Sequence, residues 1–270
     1  MDLDSVGANT AAGHKRRADS LTNTSGNLNA GLNEEMSVSV KKFRSSSREE
    51  ILTVRSSIDQ LRRNFPLDRF NYHFPPVIFR HQLYSMLPRK SRTEIDREVN
   101  VLRQRNEIRF IKFDLRGDEI ALIKTEDYRE HVRGYSRDRL QNPLLIERFL
   151  DMIENFEVSI TTADLNKERM FSDENIQSLV KVGVLILRDV KSWWVSFPGA
   201  GQFIKTFHSG REKVLTMIRK SKYSSILETE LIHRGLPKRC IGMHYAIHDI
   251  IGGDLVESAN TSSGRILRYR

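Results

Sequence analysis

Between Pro198 and Tyr223 stand six basic residues, Lys205, Arg211, Lys213, Arg219, Lys220 and Lys222, against a single acid, Glu212. The surplus of five is more than half of the net charge of +9 carried by all 270 residues. Lysine and arginine in such a run neutralise phosphates and release condensed counterions, so the expected partner is a polyanion. Contacts of this kind orient a protein on the backbone without reading bases, so binding to DNA would be steeply salt-dependent and weakly sequence-selective. Lys205, Arg219, Lys220 and Lys222 are the first candidates, with Arg211 and Lys213 next. The competing reading is a solvated helix face.

Catalytic constellations are less complete. A protein kinase needs a glycine-rich loop, a strand lysine, a catalytic-loop Asp with its Asn, and a metal-binding Asp in that order. Ala121-Leu122-Ile123-Lys124 resembles the strand-lysine motif, but no GxGxxG precedes it and no HRD or DFG follows. Gly199-Ala200-Gly201 comes after that lysine, with Ile204 where a third glycine would stand. His244 and His248 lie at i, i+4, yet Tyr245 occupies the place of the glutamate that a zinc-protease helix requires, leaving an incomplete metal site on a packed helix. Cys240, the sole cysteine, excludes an intrachain disulfide and a several-cysteine zinc site, and without a placed histidine it reads as an inert thiol. No enzyme activity, cofactor or metal is expected.

A pI near 9.7 fits a nucleic-acid partner. No apolar run approaches a membrane span or a signal-peptide core, and one cysteine suits a reducing compartment. Residues 1–47, rich in Ser, Asn, Thr and Gly, show neither helical nor strand periodicity and read as a disordered basic tail. Lys15, Arg16 and Arg17, with Lys41 and Lys42, are either a nuclear import signal or further electrostatic contacts.

The elements that must position the basic run recur. Ile51, Val54, Ile58 and Leu61 have helical spacing, and Ser91 with Glu94 is a capping-box signature opening a helix lined by Ile95, Val99 and Leu102 that ends near Asn106. Strand-like alternation follows on both sides of a turn at Arg116-Gly117-Asp118. The same order returns as a helix from Asp173 closed by Gly183 and the hairpin VLILRDVKSWWVSF. It returns again as a helix bearing Met243, Ile247, Ile250 and Ile251 and a hairpin in DLVESANTSSGRILRY. A small helical cluster closed by a two-stranded hairpin is the winged-helix plan. The predicted fold is α+β, mostly helical, with three tandem winged-helix domains at 48–135, 136–197 and 198–270.

Within the basic segment, Ile204, Phe207, Val214, Leu215 and Ile218 read as the buried side, and Gly210 as a bend between two helical pieces. Trp193 and Trp194, adjacent in a strand, point to opposite faces; the one outside the hairpin core either packs on the following helix or forms a base-stacking or protein-contact surface. Arg92, Arg97, Arg103 and Arg105 are interleaved with Glu94, Asp96 and Glu98, which suits intrahelical ion pairs better than a phosphate-lined groove.

The words VGVLILRDVKSWWVSFPGAGQFIKTFHSGREKVLTMIRKSKY (Val182–Tyr223), TEDYR (Thr125–Arg129), PPVIFRHQLYSML (Pro75–Leu87) and YAIHDIIGGDLVESANTSSGRIL (Tyr245–Leu267) occur in the order seen in the serine/threonine-protein kinase 19 family, which the chain resembles from about Phe65 to Leu267. The resemblance implies three tandem winged helices, a nuclear location and DNA binding. It further implies a role in transcription-coupled nucleotide excision repair between stalled RNA polymerase II, the Cockayne-syndrome ubiquitin-ligase receptor and TFIIH. The alternatives are a winged-helix protein-protein scaffold and the kinase of the family's name. Monomer and homodimer both remain open.

Overall fold

The computed structural model describes residues 52–270 except 72, 114–118, 138, 140–142, 157, 167–170 and 239. The tail with its two basic clusters and the turn at Arg116-Gly117-Asp118 lie outside the described residues. Helix α1 (Val54–Arg63) begins where the Thr53 hydroxyl accepts from the Ser56 amide, and it buries Val54, Ile58 and Leu61 on one stripe. Strand β1 (Ile78–Phe79) leads into α2 (Arg80–Met86), whose start is held by the Phe79 amide donating to the Gln82 side chain at 2.8 Å. Helix α3 (Arg92–Gln104) carries the predicted Ser91–Glu94 capping box and ends within two residues of the expected point. Strands β2 (Ile108–Lys112) and β3 (Ile120–Lys124) close the repeat.

The same order follows twice more. In the second repeat α4 (Thr125–Ser136) and α5 (Pro143–Met152) precede β4 (Ser159–Thr161), α6 (Thr162–Asn166), α7 (Asp173–Val182), β5 (Leu185–Asp189) and β6 (Ser192–Val195). In the third, α8 (Ala200–Arg219) precedes β7 (Ser225–Leu227), α9 (Glu228–Arg234), α10 (Met243–Gly252), β8 (Val256–Thr261) and β9 (Gly264–Tyr269). The protein is thus a mixture of helices and small antiparallel sheets. Each sheet has three strands rather than the two of the expected hairpin, in the orders β1-β3-β2, β4-β6-β5 and β7-β9-β8. The added strand is two or three residues long, too short to show alternation.

Alternation along the first sheet explains why the repeats do not stand apart. Ile78, Phe110 and Leu122 face the repeat's own helices, joining Val54, Ile58, Leu83, Ile95 and Val99 in one apolar cluster. Their neighbours Phe79, Ile111, Ala121 and Ile123 face the other way, into a second cluster that runs from Phe65 to Leu267. A sheet buried on both faces cannot be a free wing. By contrast, β5 and β8 bury only their first residues. Phe203 on α8 is the hub of the larger cluster, with ring centroids of Phe74, Phe113 and Phe207 at 5.9, 5.6 and 6.0 Å. The larger cluster therefore crosses the expected boundaries at 135/136 and 197/198.

Helices α2 and α10 meet almost backbone to backbone. A Cβ added at Gly252 would lie 1.8 Å from the His81 carbonyl oxygen, so only glycine permits this approach. Gly252→Ala should cost about 1–3 kcal/mol through forced separation of the two helices, read as a lower midpoint in denaturant with an unchanged m-value.

Candidate nucleic-acid interface

Helix α8 is continuous from Ala200 to Arg219, so Gly210 is not the expected bend. Its reason is contact: a Cβ there would fall 2.5 Å from Ile241 Cγ1. Ala200, Phe203, Phe207, Val214, Leu215 and Ile218 are buried on one side, with Ile204 half-buried against them. Lys205, Lys213, Arg219 and Lys220 are exposed, and Lys222 is exposed just beyond the helix end.

Arg211 departs from the expected phosphate set. It follows Phe207 by four residues and precedes Leu215 by four, which places it on the buried stripe. Its guanidinium is 11% exposed and binds the fully buried Asp249 through two hydrogen bonds of 2.8 Å, with Glu119 at 2.7 Å. It also lies over the Phe207 ring, 4.5 Å from the centroid. His81 Nε2 completes the group at 2.6 Å from Asp249 Oδ1. Burial alone would lower the Arg211 pKa, but the hydrogen bonds and charges of Asp249 and Glu119 outweigh it and raise it above its ordinary value. Burial likewise acts to raise Asp249, yet the hydrogen bonds from Arg211 and His81 hold it below the usual carboxylate range. Arg211 is therefore a structural cation. The i±4 spacing to Phe207 and Leu215 was the signal in the sequence.

Lys213 turns inward in part, its Nζ 3.1 Å from Cys240 Sγ. Lys205 lies about 22 Å along the helix from Lys220, so it does not share a patch with the helix end. Arg219, Lys220 and Lys222 do cluster, with the Arg219 guanidinium 5.7 Å from the Tyr269 ring and Lys222 Nζ 5.1 Å from the Tyr223 ring. Strand β9 also carries an exposed cation, Arg268, but it stands opposite Glu257 of β8 and on the sheet face away from Tyr269 and Arg219. A separate group surrounds Trp194, on which Arg188 and Lys112 lie at 4.4 and 5.4 Å. Trp193 packs against the larger core and Trp194 stands on the opposite face, as adjacent strand residues must.

The helices preceding each hairpin are poor groove readers. On α3, Arg92 pairs with Asp254 at 2.6 Å and lies over Tyr84, so its partner is across the protein rather than on its own helix. Arg103 lies over Phe110. Helix α7 opens with Asp173 and Glu174. Helix α10 is buried on nearly all sides, between α2 and α8, and not on one face as its pattern suggested.

The catalytic candidates are accounted for by packing. Lys124 is ion-paired with Asp59. His244 is exposed while His248 is tucked under α2 with its Nδ1 2.9 Å from Ser85 Oγ. Among the described residues no group of three or more His, Cys, Asp or Glu side chains could hold a metal ion. No helix among them is long and apolar enough to cross a membrane.

Two consequences are measurable. Arg211→Ala leaves Asp249 buried without its main partner and should cost about 3–5 kcal/mol in a chemical denaturation. Burial, then the charges of Arg265 and His244, lower the His248 pKa to about 4. The unfolded chain therefore takes up this proton first. The stability of the neutral ring is complete above the ordinary value of 6.5 and is lost as pH falls towards 4, by roughly 3 kcal/mol. Denaturation between pH 7 and 4 should show this slope, and His248→Gln should flatten it.

The family described as inactive serine-threonine protein kinase 19 matches residues 49–269. The human protein named winged helix repair factor 1 is 37% identical over 224 residues, covering 82% of this chain and 87% of the relative. Its Xenopus laevis namesake is 36% identical over 207 residues, 76% of this chain and 78% of the relative. A Dictyostelium discoideum protein of the same name is 24% identical over 264 residues, 83% and 66% of the two chains. With a match along nearly all of the described residues, this chain belongs to the inactive serine-threonine protein kinase 19 family.

Proposed function

We propose that this chain is a non-catalytic nuclear DNA-binding factor of three winged-helix repeats that acts in transcription-coupled nucleotide excision repair. The repeated order of helix, short strand, two helices and hairpin is what the winged-helix reading rests on. The relatives named winged helix repair factor 1 support the repair role. The observation that carries DNA binding is the exposed cluster of Arg219, Lys220 and Lys222 at the end of α8. Lys205 and Lys213 are separate exposed cations nearer the start and middle of the same helix. Duplex backbone, rather than base edges, is the ligand such a surface fits, because it offers cations without a free helix face to enter the groove. Lys15, Arg16, Arg17, Lys41 and Lys42 would serve nuclear import. RNA polymerase II, the Cockayne-syndrome ubiquitin-ligase receptor and TFIIH are the proposed protein partners.

A second reading, a scaffold without direct DNA contact, is favoured by the burial of α10 and by the acids that open α7. Fluorescence anisotropy on labelled duplex DNA across a salt series separates the two. Arg219→Glu/Lys220→Glu/Lys222→Glu should weaken binding and reduce the slope of log K against log salt by about 2–3. Unchanged binding would move the site away from α8, and no binding by the unaltered chain would favour the scaffold.

A further inference from the structure

Tyr223 is 80% exposed although it is a large aromatic. Its backbone stands at φ 59° and ψ 24°, and Ser224 follows at φ 49°. That left-handed conformation suits glycine and strains a residue with a bulky side chain. The turn itself does not need the ring. The Ser221 hydroxyl lies 2.5 and 2.8 Å from the Ile218 and Ser225 carbonyl oxygens, between which it shares its one proton, and the Ser224 hydroxyl donates to the Arg219 carbonyl at 3.3 Å. The serines thus fix the path from α8 into β7 while the tyrosine is held outward and buries almost nothing. A residue that adds strain to the backbone and little to the core has its use outside the fold.

Its surroundings indicate the ligand. Lys222 Nζ lies 5.1 Å from the ring centroid, and Arg219 and Lys220 end the preceding helix. An outward aromatic face amid cations is the combination that stacks an unpaired base and holds its flanking phosphates, since every base has a π face and every nucleotide a charge. A fully paired duplex offers phosphates but no free base face.

We propose that Tyr223 is a base-stacking residue, and that the end of α8 prefers DNA carrying an unpaired base over continuous duplex. This rests on the DNA-binding reading above and adds the class of DNA structure. The test uses two short duplexes of one sequence, one fully paired and one with a single unpaired 2-aminopurine, titrated with the full chain. Binding to the second should be tighter by about five- to 150-fold, with quenching of 2-aminopurine emission on stacking.

Tyr223→Phe should keep both effects. Tyr223→Gly should abolish both, bringing the affinities for the two duplexes together, with thermal stability equal or higher because glycine relieves the left-handed backbone. Equal affinity of the unaltered chain for the two duplexes, or a preference that survives Tyr223→Gly, overturns the stacking role and leaves duplex binding standing. Absence of binding to either duplex overturns the DNA reading and this inference together.

Discussion

A carboxylate with no solvent exposure fixes how the first and third repeats meet. Asp249 on α10 sits between Arg211 on α8 and His81 on α2, with Glu119 closing the far side of the guanidinium. A buried charge without partners is prohibitively costly, so these side chains can be arranged in few ways and the helices bearing them are held in register. The polar contacts continue along the same seam: Gln82 donates to the Tyr245 carbonyl at 3.0 Å and the Tyr245 hydroxyl to the Val77 carbonyl at 2.9 Å. The close approach at Gly252 is possible because these bonds satisfy the groups that such proximity would otherwise strand.

Around that seam the apolar packing divides the hairpins by use. The first sheet is buried on both faces and works as an internal wall against which Phe207 of α8 stacks, 4.3 Å from the Phe79 ring. The second and third hairpins extend outward, and their cations remain at the surface. Burial of α10 and the pairing of Arg92 with Asp254 take those elements out of play, and at the end of α8 cations and an exposed aromatic coincide. The surplus of basic residues lies on the helix after a hairpin rather than on the helix before one.

Local signals were read well where the chemistry is local. The Ser91–Glu94 cap, the helix from Asp173 closed by Gly183, and the hairpins of the second and third repeats follow from hydrogen bonds and alternation within a few residues. The short first strands escaped notice because two or three residues carry no period. Gly210 was read as a bend because a glycine's local meaning is flexibility, whereas its role here is to admit Ile241 from another segment. Arg211 was grouped with its basic neighbours because charge counting ignores the face on which a residue falls.

The sequence by itself determined the order of elements, the cation surplus between Pro198 and Tyr223 and the family, since composition, periodicity and long shared words are properties of the chain. Only the tertiary structure decided which cations are available. Arg211 is consumed by Asp249, thirty-eight residues away, while Arg92 is paired with Asp254 from another repeat and Tyr223 is exposed by a turn that serine hydroxyls hold. The physical reason is common to all three. Desolvation and partner choice depend on distances in space, and residues remote in the chain become neighbours only when the repeats pack together.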